Sequence, residues 1–407
     1  MAHPGSSAKS CGDVKAVRRP GGALRFPAPL RPGDWIGVTA PAAGVGEGAR
    51  SRFEAAVSWL TARGYEVVLG DCLAADGHAS APRERRAAEL TAMLCDPQIR
   101  AVVPPWGGAG TALDLLDHLD WDAIRAAEPT WVVGYSDCDS FMVPLTLFAG
   151  LPTLHGDNLM DTPYEVPAGL VHWTELAAAA GSPGQRRVVQ RDSGVQGFWA
   201  PLTDAHARVW KDRRPAAWEP ELPAGSLATA PGGPPDDGTD RRPDDGAHPG
   251  LDVTGALVGG CVEVLSAIAG TAYADVRGFA REHGPLLVYL EAAEADAYTV
   301  CRQLHTLRLH GWFERAAAVL VGRTLAPSSG SGAEEMTQRD AVRDALAGVR
   351  GADGGPLPIV WDMEIGHVPP HLPLLNGARA RVQVDEMRRV ITQTWWAADA
   401  APLSLDP

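Results

Sequence analysis

Short apolar runs alternate with longer amphipathic stretches through the first part of the chain. Runs typical of buried strands occupy residues 35–40, 65–69, 101–103 and 131–133. Apolar residues at helical spacing occupy residues 49–63 and 83–95, and a further helix is expected around 113–116. This alternation predicts an α/β fold with a doubly wound, flavodoxin-like parallel sheet over residues 31–190. Such sheets bind ligands at the carboxyl ends of their strands.

The alternation stops near residue 190 and resumes near residue 251. Residues 191–250 therefore form an insertion, and within it Pro231–Pro249 consists mostly of glycine, proline, aspartate and arginine, which predicts a solvated, mobile stretch. Beyond it, several strand patterns and one helix pattern predict a second, smaller β/α domain over residues 251–395, built on a mixed sheet or a barrel. The Gly/Pro/Ser-rich residues 1–30 and the last residues, 396–407, are expected to be tails.

Charge and cysteine content narrow the possible partners. The 407 residues include 50 acidic and 36 basic side chains, which gives a formal net charge of -14. Because nucleic-acid phosphates need a basic face, this charge argues against nucleic acid as a partner. The six cysteines form no CxxC pair and predict neither a disulfide framework nor a zinc ribbon. No apolar run approaches the ~20 residues of a membrane helix, so we expect no membrane partner and a reducing, cytoplasmic location.

Ser136 is the best nucleophile candidate, because it follows an apolar strand and precedes a predicted helix that begins near Asp139. A tight strand-to-helix turn exposes the hydroxyl and directs backbone N–H groups into the site. The pattern G-x-S-x-G is incomplete, since Cys138 occupies the last glycine position, and Cys138 is expected to pack inward. A structural alternative stays open: Ser136 or Asp137 could cap the helix instead.

Several motifs occur in the order found in the LD-carboxypeptidases, a family of serine peptidases that the chain resembles over most of its length. These motifs are Pro32–Val38, Gly107–Gly108, Gly134–Asp137, Thr153–Gly156, Gly255–Gly260, Leu287–Glu291, Arg302–Gly322 and Gly366–His367. The resemblance implies a hydrolase of amide bonds that acts on a peptide or small-molecule substrate and uses neither a cofactor nor a metal. We also expect a homodimer.

The resemblance assigns a catalytic triad of Ser136, Glu291 and His367. His367 would take the Ser136 proton, and Glu291 would orient the imidazole. The backbone N–H groups of Gly108 and Asp137 would form the oxyanion hole. For the free enzyme, the general base is expected to titrate with an apparent pKa of about 6 to 7.

Two neighbouring residues compete with these assignments. Glu294 lies three positions past Glu291 and could replace it as the partner of the histidine, although the strand-end position favours Glu291. His371 lies four positions past His367, which superficially suggests a metal-binding pair. Two prolines between these histidines break any helix, so the spacing does not favour a metal site.

Four side chains are predicted to bind the substrate: Trp106, His155, Trp199 and Trp210. His155 could instead be a structural residue beside the site. Together with Trp218, the tryptophans of the insertion could stack on a flat ring such as a nucleobase. They could equally anchor the insertion on the body of the protein or fill a dimer interface.

Two positions depart from the family pattern. Ala292 stands where many members have an aspartate after the glutamate, and Cys261 stands where many have an asparagine after the glycine pair. The tryptophan-bearing insertion resembles the microcin-immunity branch more than the murein-recycling branch. We therefore expect cleavage of a peptidyl- or aminoacyl-nucleotide antibiotic in self-immunity. The alternatives are a murein tetrapeptide LD-carboxypeptidase, a biosynthetic acyltransferase or amide-forming enzyme, and a binding protein on the same scaffold.

Overall fold

Two β-sheets organise the chain in the computed structural model, which describes residues 23–75, 77–109, 111–179, 185–222 and 250–396. The strands are Trp35–Val38 (β1), Glu66–Leu69 (β2), Ile99–Val102 (β3), Trp131–Gly134 (β4), Leu154–His155 (β5), Gln185–Arg191 (β6), Val195–Phe198 (β7), Lys211–Pro215 (β8), Glu219–Glu221 (β9), Leu251–Cys261 (β10), Leu286–Glu291 (β11), Ala316–Gly322 (β12), Ile359–Met363 (β13), Leu374–Leu375 (β14), Arg379–Val384 (β15) and Arg389–Trp396 (β16). The α-helices are Arg50–Thr61 (α1), Arg83–Cys95 (α2), Trp121–Ala126 (α3), Asp139–Leu147 (α4), Trp173–Ala177 (α5), Val262–Ile268 (α6), Val276–His283 (α7), Ala297–Leu309 (α8) and Gln338–Leu346 (α9).

The first sheet has the strand order β14-β5-β4-β3-β1-β2. Strands β1 to β5 run parallel in the order typical of flavodoxin-like folds, which confirms the predicted doubly wound domain. Separate apolar clusters surround the helices: α1 contributes Ala56 and Leu60 to one cluster, and α2 contributes Ala87 and Leu90 to another. The nucleophile candidate therefore follows β4, a fully buried strand inside the parallel sheet.

The second sheet is mixed, with the strand order β6-β16-β15-β10-β11-β12-β13-β9. Its central strands β10 to β13 are parallel, and antiparallel strands flank them on both sides. In the part of the chain that the structure describes, the edge strands β6 and β9 do not pair with each other. The second domain is therefore built on an open mixed sheet and not on a closed barrel. This sheet has eight strands and the first sheet has six, because β6 and β9, which precede the predicted second domain, pair at its two edges.

Each sheet takes one strand from the other half of the chain. Strand β6 falls almost wholly before the predicted boundary at residue 190 yet pairs with β16, and β14 lies in the C-terminal half yet pairs with β5. Three helices of the second half, α6, α7 and α9, were not predicted, because segments of seven to nine residues show too few apolar repeats. The helix expected around 113–116 is a single 3-10 turn, Leu113–Leu115.

Residues 23–30 belong to the core and not to a tail. Leu30 is fully buried, Phe26 is buried, and the Trp131 indole donates to the carbonyl of Ala28 at 2.8 Å. An extended segment can bury apolar side chains without any periodic pattern, which is why the sequence predicted disorder here. The remainder of the predicted tails, residues 1–22 and 397–407, lies outside the described residues.

The first half of the predicted insertion is structured. Strand β7 pairs with β8, and β9 extends the second sheet beside β13. Trp218 is fully buried, which agrees with the alternative that the tryptophans anchor the insertion on the body of the protein. The stretch Pro231–Pro249 lies outside the described residues. Across the ranges given above, no helix is both long enough and apolar enough to cross a membrane.

Candidate active site

Ser136 lies at the carboxyl end of β4, in a turn that leads through a 3-10 helix into α4. Its φ is 66°, in the left-handed region that non-glycine residues rarely adopt. This strained strand-to-helix turn is the geometry of an exposed nucleophile. The Ser136 hydroxyl makes no capping bond to the helix and lies 3.0 Å from Nε2 of His367.

His367 connects Ser136 to Glu291. Its Nδ1 lies 2.7 Å from Oε2 of Glu291. Glu291 ends β11 and is buried, whereas Glu294 is exposed, so the structure brings Glu291 and not Glu294 to the imidazole. Gly366 has a φ of 86°, and a Cβ at this position would collide with the Glu291 side chain. A glycine is therefore required for His367 to approach Glu291 this closely.

The His367–Glu291 pair shifts the pKa of both groups. Burial alone would lower the pKa of His367, but the charge and hydrogen bond of Glu291 outweigh it and raise the pKa to about 9. Burial alone would raise the pKa of Glu291, yet the charge and hydrogen bond of His367 bring it below its usual value. The structure therefore places the pKa of His367 above the about 6 to 7 expected from sequence.

Gly107 and Gly108 lie directly against the nucleophile turn. A Cβ on Gly107 would lie 2.9 Å from Cβ of Ser136 and 3.0 Å from the backbone nitrogen of Asp137. The missing side chain leaves open the space in front of that N–H group, where the oxyanion of a tetrahedral intermediate on Ser136 would form. Trp106, which precedes the glycine pair, is partly exposed, so it can contact a substrate.

The Asp137 carboxylate has a structural role. It accepts hydrogen bonds from the backbone N–H groups of Thr111 and Ala112 and from the Ser140 hydroxyl. These bonds tie the loop after the glycine pair to the nucleophile turn, so only the backbone of Asp137 remains for the site. Cys138 is fully buried, and burial raises its pKa well above the usual thiol value, which confirms that it packs inward.

Both halves of this arrangement match a known family. The LD-carboxypeptidase N-terminal domain matches residues 36–156, and the LD-carboxypeptidase C-terminal domain matches residues 254–382. The chain belongs to the LD-carboxypeptidase family. Within it, Ser136 lies in the N-terminal domain, and Glu291 and His367 lie in the C-terminal domain.

Known relatives align with most of the length of this chain. A protein of Vibrio cholerae named as a carboxypeptidase is 25% identical over 370 residues, which cover 89% of this chain and 96% of the relative. The microcin C7 self-immunity protein MccF of Escherichia coli is 23% identical over an alignment that covers 91% of this chain and 97% of MccF. The structure of MccF in complex with glutamyl sulfamoyl guanosine has the same fold, with a TM-score of 0.69 at 21% identity over 92% of this chain and 98% of that chain.

His155 and Asp139 lie beneath the triad. His155 is 2% exposed, and its Nε2 is 3.7 Å from Oδ2 of Asp139, which also accepts a 2.8 Å hydrogen bond from the backbone of Cys261. Burial lowers the pKa of His155 to about 3, so its imidazole is neutral near pH 7, and burial raises the pKa of Asp139 well above its usual range. His155 was predicted to bind the substrate; its burial makes it a support for the site, because sequence reveals residue type but not depth.

The structured half of the insertion brings one of its three tryptophans to the triad. Trp199 is partly exposed, and its Nε1 donates to the backbone carbonyl of His367 at 3.0 Å. Trp210 is 5% exposed and stacks on Tyr164, with ring centroids 6.4 Å apart and planes 11° apart. Trp218 is fully buried. Trp210 and Trp218 therefore anchor the insertion, which corrects the prediction that Trp210 binds the substrate, and Trp199 stays a candidate.

A second buried histidine–carboxylate pair was not predicted. Nδ1 of His371 lies 2.6 Å from Oδ1 of Asp157, and this carboxylate outweighs burial and raises the pKa of His371. Tyr135 separates the two histidines, with its ring 4.5 Å from that of His371 and 5.1 Å from that of His367. The two histidines thus face different carboxylates and form no metal pair. Because Asp157 and His371 are distant in sequence, no local pattern identified them.

Two groups of side chains in the described ranges place three metal-type donor atoms within 4.8 Å of one another: Asp139, His155 and Glu291, and Cys301, His305 and Asp344. In the first group, Glu291 already binds His367. In the second group, the thiol and the imidazole both contact the Asp344 carboxylate, so hydrogen bonds account for its geometry. The triad chemistry requires a metal in neither group.

Proposed function

We propose that this chain is a serine peptidase of the LD-carboxypeptidase type that cleaves an amide bond. The observation that supports this most is the continuous pair of hydrogen bonds from Ser136 through His367 to Glu291. Ser136 and Glu291 lie at the ends of parallel strands, where such sheets present their ligand sites. A strained serine, an imidazole and a buried carboxylate in this order can activate the hydroxyl for acyl transfer.

In the proposed reaction, the Ser136 oxygen attacks the carbonyl carbon while its proton passes to Nε2 of His367. The Glu291 carboxylate holds the Nδ1–H and stabilises the imidazolium. The N–H groups of Gly108 and Asp137 stabilise the oxyanion, each by roughly 3 kcal/mol in comparable sites. Collapse of the intermediate breaks the C–N bond, and the leaving amine takes the proton from His367. Water then attacks the acyl-enzyme with the same proton transfers and frees Ser136.

We propose an aminoacyl- or peptidyl-nucleotide as the substrate. The likeness to MccF, a protein named for microcin self-immunity and solved with glutamyl sulfamoyl guanosine, supports this class. Trp199 adds support, because it is a partly exposed aromatic ring beside His367, and rings of this kind stack on bases. A murein tetrapeptide is the second candidate, and the family's description as LD-carboxypeptidases favours it.

Two substrates separate these classes. The purified protein is given an aminoacyl sulfamoyl nucleoside or a murein tetrapeptide ending in D-alanine, and the products are quantified by mass spectrometry, with Ser136→Ala as the control. We expect kcat/KM to be at least about tenfold higher for the nucleoside, since one stacked base contributes about 1 to 3 kcal/mol. Faster cleavage of the tetrapeptide would make the murein activity the correct one. Cleavage of neither, or equal cleavage by Ser136→Ala, would overturn the hydrolase proposal.

An acyltransferase on the same scaffold would differ in what accepts the acyl group. Reaction in ¹⁸O-labelled water distinguishes the two, because hydrolysis of the acyl-enzyme places one labelled oxygen in the released carboxylate. We expect that labelled product. A product amide without label, formed only when an amine is added, would identify a transferase instead.

We propose that the reaction takes place in the cytoplasm. The five cysteines that the structure describes, Cys72, Cys95, Cys138, Cys261 and Cys301, are free thiols. Free thiols are typical of a reducing compartment. Fractionation of cells that produce the protein should therefore find the activity in the cytoplasmic fraction, and recovery in a secreted or periplasmic fraction would contradict this location.

A further inference from the structure

His367 lies in a segment, residues 364–371, that contains neither strand nor helix. We call this segment the histidine loop. The structured half of the insertion, residues 191–222, contacts the histidine loop and is called the ordered insert. A loop without regular structure needs such contacts to hold an imidazole at bonding distance from a nucleophile.

The ordered insert holds the centre of the histidine loop through its backbone. The Trp199 indole donates to the carbonyl of His367 at 3.0 Å, and the backbone N–H of Gly197 donates to the carbonyl of Pro369 at 3.0 Å. The Trp199 ring also lies edge-on to the ring of His371, with centroids 5.3 Å apart. Three adjacent contacts therefore fix the backbone on which the His367 imidazole is mounted.

The start of the histidine loop is held by a buried carboxylate. Glu364 accepts hydrogen bonds from the Ser193 hydroxyl at 2.6 Å, the Trp218 indole at 2.5 Å and the Arg323 guanidinium at 3.2 Å. Because Glu364 is fully buried, water cannot replace these partners. Ser193 and Trp218 belong to the ordered insert, so both the start and the centre of the histidine loop depend on it.

We propose that Trp199 is a positioning residue for His367: its indole N–H fixes the His367 backbone and thereby keeps Nε2 within reach of Ser136. The proposal rests on the proposed serine mechanism. It concerns the N–H edge of the indole, whereas stacking on a substrate concerns the face of the ring. Because a misplacement of about 1 Å can cost about 10²-fold in rate, loss of this bond should lower kcat on every substrate.

The variant Trp199→Phe tests this role, because it removes the N–H and keeps an aromatic face. We expect kcat to fall about 10- to 100-fold with KM within about twofold of wild type. The rate at which a small, ring-free fluorophosphonate modifies Ser136 should fall by the same factor, since this reagent has no ring to stack. A purely structural role would lower the melting temperature without this selective loss of kcat.

The matched control is Trp210→Phe. Trp210 lies in the same insert, and its Nε1 is buried with no hydrogen-bond partner in the part of the chain that the structure describes. Replacing it with phenylalanine therefore breaks no hydrogen bond. We expect wild-type kcat for this variant. Equal kcat values for the two variants would overturn the positioning role. A rise in KM for the nucleoside alone would assign Trp199 to stacking.

Two further measurements keep the outcomes separate. Full turnover by Ser136→Ala would contradict the serine mechanism, whatever the tryptophan variants show. If Trp199→Phe unfolds at the assay temperature, Ser193→Ala weakens the hold on the start of the histidine loop through a smaller change. It should then show the same kcat-selective loss, and wild-type kcat in the folded Ser193→Ala protein would overturn the proposal.

Discussion

The hydroxyl of Ser136 lies 3.0 Å from Nε2 of His367, although 231 positions separate the two residues in the sequence. Ser136 follows a strand of the first sheet, and His367 follows β13 of the second sheet. The arrangement therefore forms only where the two sheets meet, and the contact between them is a condition for the proposed chemistry.

Replacement of the nucleophile should abolish turnover. We expect Ser136→Ala to lower kcat by about 10⁴- to 10⁶-fold, because members of a triad act as a unit. The melting temperature should stay near that of wild type, since alanine occupies the left-handed position no worse than serine. Steady-state kinetics and thermal unfolding check both expectations. Activity that survives this change but is lost on thiol alkylation would point to a cysteine nucleophile.

The pH dependence should report the charged pair. His367 must be neutral to take the Ser136 proton, and its pKa is raised to about 9, so kcat/KM should increase with pH up to that region. Glu291→Gln removes the carboxylate that raises this pKa most, so the increase of kcat/KM with pH should move to lower pH while kcat falls about 10⁴-fold. An apparent pKa of kcat/KM at the ordinary histidine value of 6.5 in the wild type would contradict the effect of Glu291 on His367, and so would an apparent pKa that does not change in Glu291→Gln.

A methyl group at residue 107 should block the oxyanion hole. In Gly107→Ala the new Cβ would lie 3.0 Å from the Asp137 nitrogen and 3.1 Å from Oγ of Ser136, so kcat should fall about 10²- to 10³-fold. Gly46→Ala is the matched control, because Gly46 has an extended φ of -74° and no atom lies within 4 Å of an added Cβ. Similar kcat values for the two variants would exclude this turn from the oxyanion hole.

The segment 23–30 should contribute to stability. Leu30 is fully buried, so Leu30→Ala should lower the free energy of unfolding by about 2 to 5 kcal/mol. Leu309→Ala makes the same chemical change at a side chain that is 71% exposed, and we expect a change within about 0.5 kcal/mol. Chemical denaturation measures both. Equal effects would show that the segment does not pack on the core in solution.

Local geometry explains which parts of the site could be predicted. Ser136 was found because a strand, a turn and a helix follow one another in the sequence, and the φ of 66° arises in that same turn. Glu291 and His367 were located through the order of motifs, since no periodicity connects two distant strand ends. A glycine precedes His367 because a Cβ at residue 366 would collide with the Glu291 side chain.

The remaining features depend on contacts between distant segments. The Trp199–His367 bond and the Asp157–His371 pair join residues that no local pattern relates. The ordered insert was expected to add little to the core because its composition is polar, yet Trp210 and Trp218 are buried, and Trp218 donates to Glu364. Burial of this kind follows from tertiary packing, which outweighs the composition of a short segment.

Covalent labelling tests the central claim most directly. The protein is treated with a small fluorophosphonate, digested, and mapped by mass spectrometry. The proposed mechanism predicts a single adduct on Ser136, no adduct in Ser136→Ala, and labelling slowed by several orders of magnitude in His367→Ala, because the hydroxyl then lacks its base. An adduct on another residue, or labelling of Ser136 at the wild-type rate in His367→Ala, would contradict the triad.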